Sequence, residues 1–233
     1  MTKIQNKDFL YLVWKDDVTR RQFVVGQLIH NGGYTFNYGL EVEAAIEAGF
    51  DLMLPFDDVK KTYHSAFLFP AFSSRLPDRK RVGIEGILKK YKLDSYDEYE
   101  LLKRSGAKLP IDQFQFIDPI FAEQEKDGEI QRCFYVAGPR YYLGCDGENC
   151  EKALHLAPGD SLYLKSEPKN PKDHNAIQIL DSDGNRIGYL PRYYCEGVSV
   201  LLQSGYEYTC MVKAVNTDNR CDECIWIVLT LKL

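Results

Sequence analysis

The sequence predicts an α+β N-terminal domain, antiparallel strands and then helices, followed by a mainly-β C-terminal domain that curls into a small barrel. Three observations carry this. The first forty residues alternate β-branched and aromatic runs with turn residues, whereas residues 41–106 show helical spacing. Asp118 to Gln131 is polar, holds a proline and a glycine, and has no periodicity. From Ile130 onward short strands recur with turns between them and one helix among them.

In order, Phe9–Trp14 and Arg21–His30 flank the polar KDDVTR and read as a hairpin, and Tyr34–Tyr38 after Asn31-Gly32-Gly33 adds a third strand. Glu41–Gly49 has helical spacing and stops at a glycine; Ser65–Arg75 is apolar enough for a buried helix despite Pro70. Pro77-Asp78 opens a further helix with Arg79-Lys80-Arg81 in its first turn, where cations oppose the helix dipole. That cluster is either a solvated helix face or a contact for phosphate or a partner. Ser95 and Glu98 are spaced as a capping box for a helix ending at Gly106. The domains are therefore 1–117 and 131–233, with 118–130 as linker. Strands are expected at Ile130–Val136, Leu162–Lys165, Ala176–Leu180, Arg186–Tyr189, Tyr206–Val215 and Ile225–Leu231, with a helix at Arg192–Ser204.

The chain has 233 residues, 45% hydrophobic and 27% charged, as in soluble globular proteins. No run nears the ~18 apolar residues of a membrane span, and MTKIQNKDFLYLVW lacks the layout of a signal peptide, so a cytoplasmic protein is expected. Net charge is −5, with 17 Lys and Arg against 19 Asp and Glu in residues 1–125 and 12 against 15 in 126–233. A polymer-coating nucleic-acid binder would be basic. Any nucleic-acid contact must therefore be local, made by a few placed cations and stacking aromatics.

Three strings mix turn residues with display of aromatic and charged groups: GPRYYLG at 138–144, EPKNPKDHNAI at 167–177 and GNRIGYLPR at 184–192. Arg140 offers forked donors for phosphate or a base edge, and Tyr141 and Tyr142 offer flat rings, although a structural tyrosine pair fits as well. Asn170 and Asn175 read as turn closers. Asp173, between Lys172 and His174, reads either as a turn cap or as an acceptor for a ligand hydroxyl. Tyr189 and Arg192 bring another aromatic and another cation to the end of a strand.

Seven cysteines in a chain without an export signal read as reduced thiols or metal ligands. Cys145 and Cys150, with Cys221 and Cys224, are two loop pairs whose spacing suits a structural zinc, and they read also, and more simply, as independent thiols. Cys133, Cys195 and Cys210 fall in strand or helix patterns and read as core. No His and carboxylate accompany a cysteine as a nucleophile would require, no carboxylate set suits a metal nuclease, and no phosphate-binding loop is present. The chain reads as non-enzymatic.

VGQL, GGYTFNY, FLFPAFSSRLPDRKR and ILKKYKLDSYDEYELLKRSG resemble the small N-terminal subdomain of the HipA toxin kinases, over about Asp8 to Gly106. The resemblance implies a protein-docking module, as for a toxin–antitoxin regulator whose partner is a HipA-like kinase chain. Downstream, RYYxG, EPxNPxDxNAI and GxxIGYxPR resemble the HIRAN domain over about Arg132 to Val215. This implies an OB-like β-barrel that captures the 3′ end of single-stranded DNA. It implies that Arg140 and Tyr141 hold the terminal nucleotides with Tyr142 beside them, that Asp173 accepts from the 3′ hydroxyl, and that Tyr189 and Arg192 contact the strand. Lys172 stands where an aromatic is usual, implying a phosphate contact. Tyr189 replaces a histidine, which would keep a stacking ring and a donor. The translocase motor of the repair proteins is absent from this sequence.

Overall fold

A computed structural model of the protein describes residues 8–39, 41–120, 129–144 and 155–232. The chain divides into two compact units, Met1–Pro119 and Ile120–Leu233.

The first unit is built on a five-stranded antiparallel sheet. Its strands are β1 (Asp8–Lys15), β2 (Gln22–His30), β3 (Tyr34–Tyr38), β4 (Thr62–Ser65) and β5 (Phe114–Ile117), in the order β4-β3-β2-β1-β5. The β1–β2 hairpin shifts register between Leu12 and Val13. The bulge breaks the period-two alternation, so Leu10, Leu12 and Val13 are all buried. Helices α1 (Val42–Glu47), α2 (Pro70–Ser73), α3 (Ile84–Lys90) and α4 (Glu98–Ser105) complete the unit. The core is rich in aromatics. Phe36, Phe56 and Phe72 are fully buried, with ring centroids 4.4 to 5.3 Å apart.

Three expectations for this unit are corrected. The helix expected over Ser65–Arg75 is the single turn α2, preceded by β4. Pro70 has no N–H to give an earlier turn, so it opens the helix as its first residue. The helix expected from Pro77 begins at Ile84. Asp78 instead accepts the Lys80 N–H at 2.6 Å, which closes a turn and places Arg79–Arg81 before the helix and not in its first turn. The cap of α4 is Asp97, accepting from Glu100 N at 2.8 Å, and not Ser95. Sequence reading also passed over β4 and β5. The β5 end is held by Arg75, a side chain 5% exposed, which makes two bonds to the Asp112 carboxylate at 2.5 and 2.9 Å and one to the Phe114 carbonyl.

The second unit has two three-stranded antiparallel sheets. One holds β6 (Glu129–Tyr135), β10 (Glu207–Val215) and β11 (Ile225–Lys232) in the order β10-β11-β6; the other holds β7 (Tyr163–Ser166), β8 (Ile177–Leu180) and β9 (Arg186–Tyr189) in the order β7-β8-β9. Backbone bonds join them at both margins. Ala137 and Tyr189 exchange N–H···O bonds of 2.8 and 2.9 Å, linking the end of β6 to β9. Leu162 N donates to the Cys210 carbonyl and Val212 N to the Asp160 carbonyl, linking the approach to β7 with β10. The six strands thus close into the small barrel expected, which leaves few unpaired strand edges.

Helix α5 (Arg192–Gln203) buries Tyr194, Cys195, Val198 and Leu201. Its Gly197 lies against the carbonyl oxygen of Ile120, which a Cβ there would strike. Burial pushes the thiols of Cys195 and Cys210 up to about 12, as befits core cysteines. Cys133 is only half-buried, with Lys213 Nζ 3.6 Å from its sulfur, so the expectation that it is core does not hold.

Candidate nucleic-acid interface

The three strings singled out in the sequence meet at the end of β9. After β6 the chain pairs through Ala137 with Tyr189 and turns at once into a one-turn 3₁₀ helix, Pro139–Tyr141. This pairing requires glycine at 188. A Cβ there would collide with a Val136 methyl and lie 2.7 Å from the Ala137 oxygen. The turn therefore sits directly on β9, and Tyr142 meets Tyr189 edge-on at 5.8 Å between centroids.

Tyr189 is in turn tied to the second string. Its hydroxyl donates to Glu167 Oε2 at 2.7 Å and accepts from Arg186 Nη1 at 2.6 Å. Burial and the bonds to Glu167 and Tyr142 push this phenol up to about 12. Bonds from Asn170 and Tyr189 hold the Glu167 carboxyl below its ordinary range. The donor that a tyrosine at 189 was expected to offer a ligand is thus used inside the protein, and only the ring remains available. Asn170 Nδ2 donates to Glu167 at 2.8 Å, and its Oδ1 accepts the N–H groups of Lys172 and Asp173 at 2.9 and 3.2 Å. Asn170 is the turn closer that its position in the sequence suggested.

Asp173 makes the bond of a turn cap, the first of its two readings. Oδ1 accepts from Asn175 N at 2.9 Å, as a turn cap, while Oδ2 lies 3.6 Å from Nε of Arg192. The carboxylate is 17% exposed and the arginine 52%. Arg192 opens α5, a helix with no acid in its first turn, so Asp173 is the nearby anion that offsets a cation at a helix N-terminus. Lys172 is exposed. Tyr141 is 74% exposed, with the Arg140 guanidinium 5.7 Å from its ring centroid. Direct contacts thus run from Tyr142 through Tyr189, Glu167 and Asn170 to Asp173 and Arg192, with Arg140 and Tyr141 in the adjoining turn. Such a surface offers rings for stacking, placed guanidinium groups and one carboxylate acceptor, and it needs few cations.

Glu167 and Arg186 were missed in the sequence as members of this cluster. The signal was there in weak form, as a charged pair inside two of the strings. Beside them lies a groove of about 500 Å³ whose lining includes Tyr142, His155, Asp160, Asp181, Asp183 and Arg186.

Of the four cysteines that suit zinc, Cys145 and Cys150 lie outside the described residues. Cys221 and Cys224 are buried in the turn before β11. Among the described residues no group of three or more His, Cys, Asp or Glu could hold a metal ion, and no helix is long and apolar enough to cross a membrane.

Residues 133–230 match the family model of the HIRAN domain, and residues 17–110 match that of the HipA N-terminal domain. The N-terminal half of the chain thus matches one family model and the C-terminal half the other. Among curated proteins it is similar to the helicase-like transcription factor of Mus musculus, 26% identical over 119 residues, which is 47% of this chain and 11% of that protein. The helicase-like transcription factor of Oryctolagus cuniculus is 30% identical over 70 residues, or 30% of this chain and 6% of that protein. The matches therefore span only a small part of those relatives. Similar solved structures include the HIRAN domain of human HLTF, at 20% identity and TM-score 0.32 over 46% of this chain and 79% of that one. A protein from Lactobacillus plantarum matches at 22% identity and TM-score 0.36, over 46% of this chain and all of that one. The HLTF HIRAN domain in its DNA-bound conformation matches at 21% and 0.30, over 46% and 74%.

Proposed function

We propose that the HIRAN domain of this chain binds single-stranded DNA by its free 3′ end, that the N-terminal domain docks a protein, and that the chain is an adaptor without catalysis of its own. The observation that carries the reading is the joined cluster at the end of β9. It pairs an exposed ring, Tyr141, with the neighbouring guanidinium of Arg140, and it holds Asp173 against Arg192. A stacking ring and a forked cation suit a terminal nucleotide. A carboxylate accepts from a 3′ hydroxyl and repels a 3′ phosphate. Fluorescence anisotropy of the full chain with an oligonucleotide ending in a 3′ hydroxyl, beside the same strand ending in a 3′ phosphate, tests this. Only the free end should bind, and Arg140→Ala or Asp173→Ala should abolish that binding with the fold intact by circular dichroism. Equal binding of the two strands would refute end capture.

The HipA N-terminal match over residues 17–110 favours a second role, restraint of a HipA-like kinase chain, with the barrel as scaffold. Val82 is 97% exposed and directly follows Arg79–Arg81, giving the N-terminal unit an apolar and cationic loop of the kind a protein partner covers. If this role is the main one, Val82→Glu disrupts co-purification with such a kinase while Asp173→Ala leaves it intact. The reverse pattern would exclude it.

A further inference from the structure

Arg186 makes more contacts in the cluster than its bond to Tyr189. Its Cζ lies 4.3 Å from the Tyr142 ring centroid and 5.5 Å from that of Tyr189. Nη1 donates to Tyr189 and faces Glu167 Oε1 at 3.9 Å. Nε and Nη2 have no hydrogen-bond partner among the described residues, and the side chain is 35% exposed at the groove beside Tyr142. A guanidinium held by a ring on its face and a phenol at one corner keeps its remaining donors in a fixed direction.

The groove decides what those donors meet. Asp160, Asp181 and Asp183 line it together with Arg186, so a phosphate would face three carboxylates and be repelled. A neutral base edge would not. Guanine presents O6 and N7 as adjacent acceptors that match an arginine fork, and its N–H groups suit carboxylate neighbours; on the corresponding edge adenine and cytosine offer a donor where O6 stands, and thymine a single acceptor. We infer that Arg186, stacked on Tyr142, reads a guanine base of the bound single strand in this groove. This rests on the DNA reading given above and adds a base preference to it.

The test uses the full chain and strands with a free 3′ hydroxyl: one of thymine only, a set carrying a single guanine at successive positions from the 3′ end, and a set with adenine at the same positions. Guanine at one position should raise affinity about tenfold over thymine, and adenine should not. Arg186→Gln should bring the guanine-to-thymine ratio close to one, and so should Arg186→Lys, which keeps the charge and loses the planar fork. End-dependent binding without a guanine preference in the native chain overturns this inference alone. A preference that survives in either variant, or an equal preference for adenine, also overturns it. Failure of every strand to bind overturns it together with the DNA reading.

Discussion

Tyr189 shows how a residue chosen by resemblance acquires its role from its neighbours. A phenol between a carboxylate and a guanidinium is a strut that holds the strings together. Tyr189→Phe keeps the ring and removes the strut, and should lower stability by about 1 kcal/mol in urea denaturation. The pH dependence has a definite sign. The Tyr189 phenol is raised from 10.0 to about 12, so its stabilising effect is full below pH 10 and is lost as pH rises toward 12. The Glu167 carboxyl is depressed below 4.5, so its effect is full above that pH and is lost as pH falls through the lower folded value. In Tyr189→Phe the alkaline loss of stability should be shallower than in the native chain; an unchanged alkaline limb would mean that another group dominates it. Asp173 could not be resolved in this way from its string alone. A turn cap and a hydroxyl acceptor need the same atom types; in the fold Oδ1 caps the turn at Asn175 and Oδ2 faces Arg192.

Among the elements, the barrel depends on short margins more than on long ladders. The link from β6 to β9 is one pair of residues, Ala137 and Tyr189, and it forms because position 188 has no side chain. Gly188→Ala should cost about 2 kcal/mol or more, since the added carbon must displace both a methyl group and a backbone oxygen. It should also weaken DNA binding beyond what lost stability explains, because the Arg140–Tyr142 turn is seated by that pair. Denaturation and anisotropy on the same preparation check both. The C-terminal strands were legible because each is an alternating or β-branched run set off by turn residues, and expected and observed ends differ by about one residue there. In the N-terminal unit, β4 reads TYHS and buries none of its residues, so no apolar run marks it. The helix expected over Ser65–Arg75 failed because apolar content marks burial and leaves the type of element open.

For the whole molecule, the two tryptophans report on the two units separately: Trp14 lies in β1 and Trp226 in β11. Each unit has its own core, so Trp226→Phe and Trp14→Phe variants should show urea transitions by fluorescence with distinct midpoints. Coincident midpoints in both variants would mean that the units unfold as one. At this scale the sequence alone determined the class of each half, the polar stretch between them, and the three strings that carry the candidate site, because periodicity, turn chemistry and motif spacing are local properties. Tertiary structure decided the rest. Closure of the barrel joins Ser161 to Met211 and Ala137 to Tyr189, and the strut joins Glu167 to Arg186 through a phenol. These pairings bridge residues distant along the chain. Their geometry comes from which surfaces pack, and no local pattern of residues encodes it.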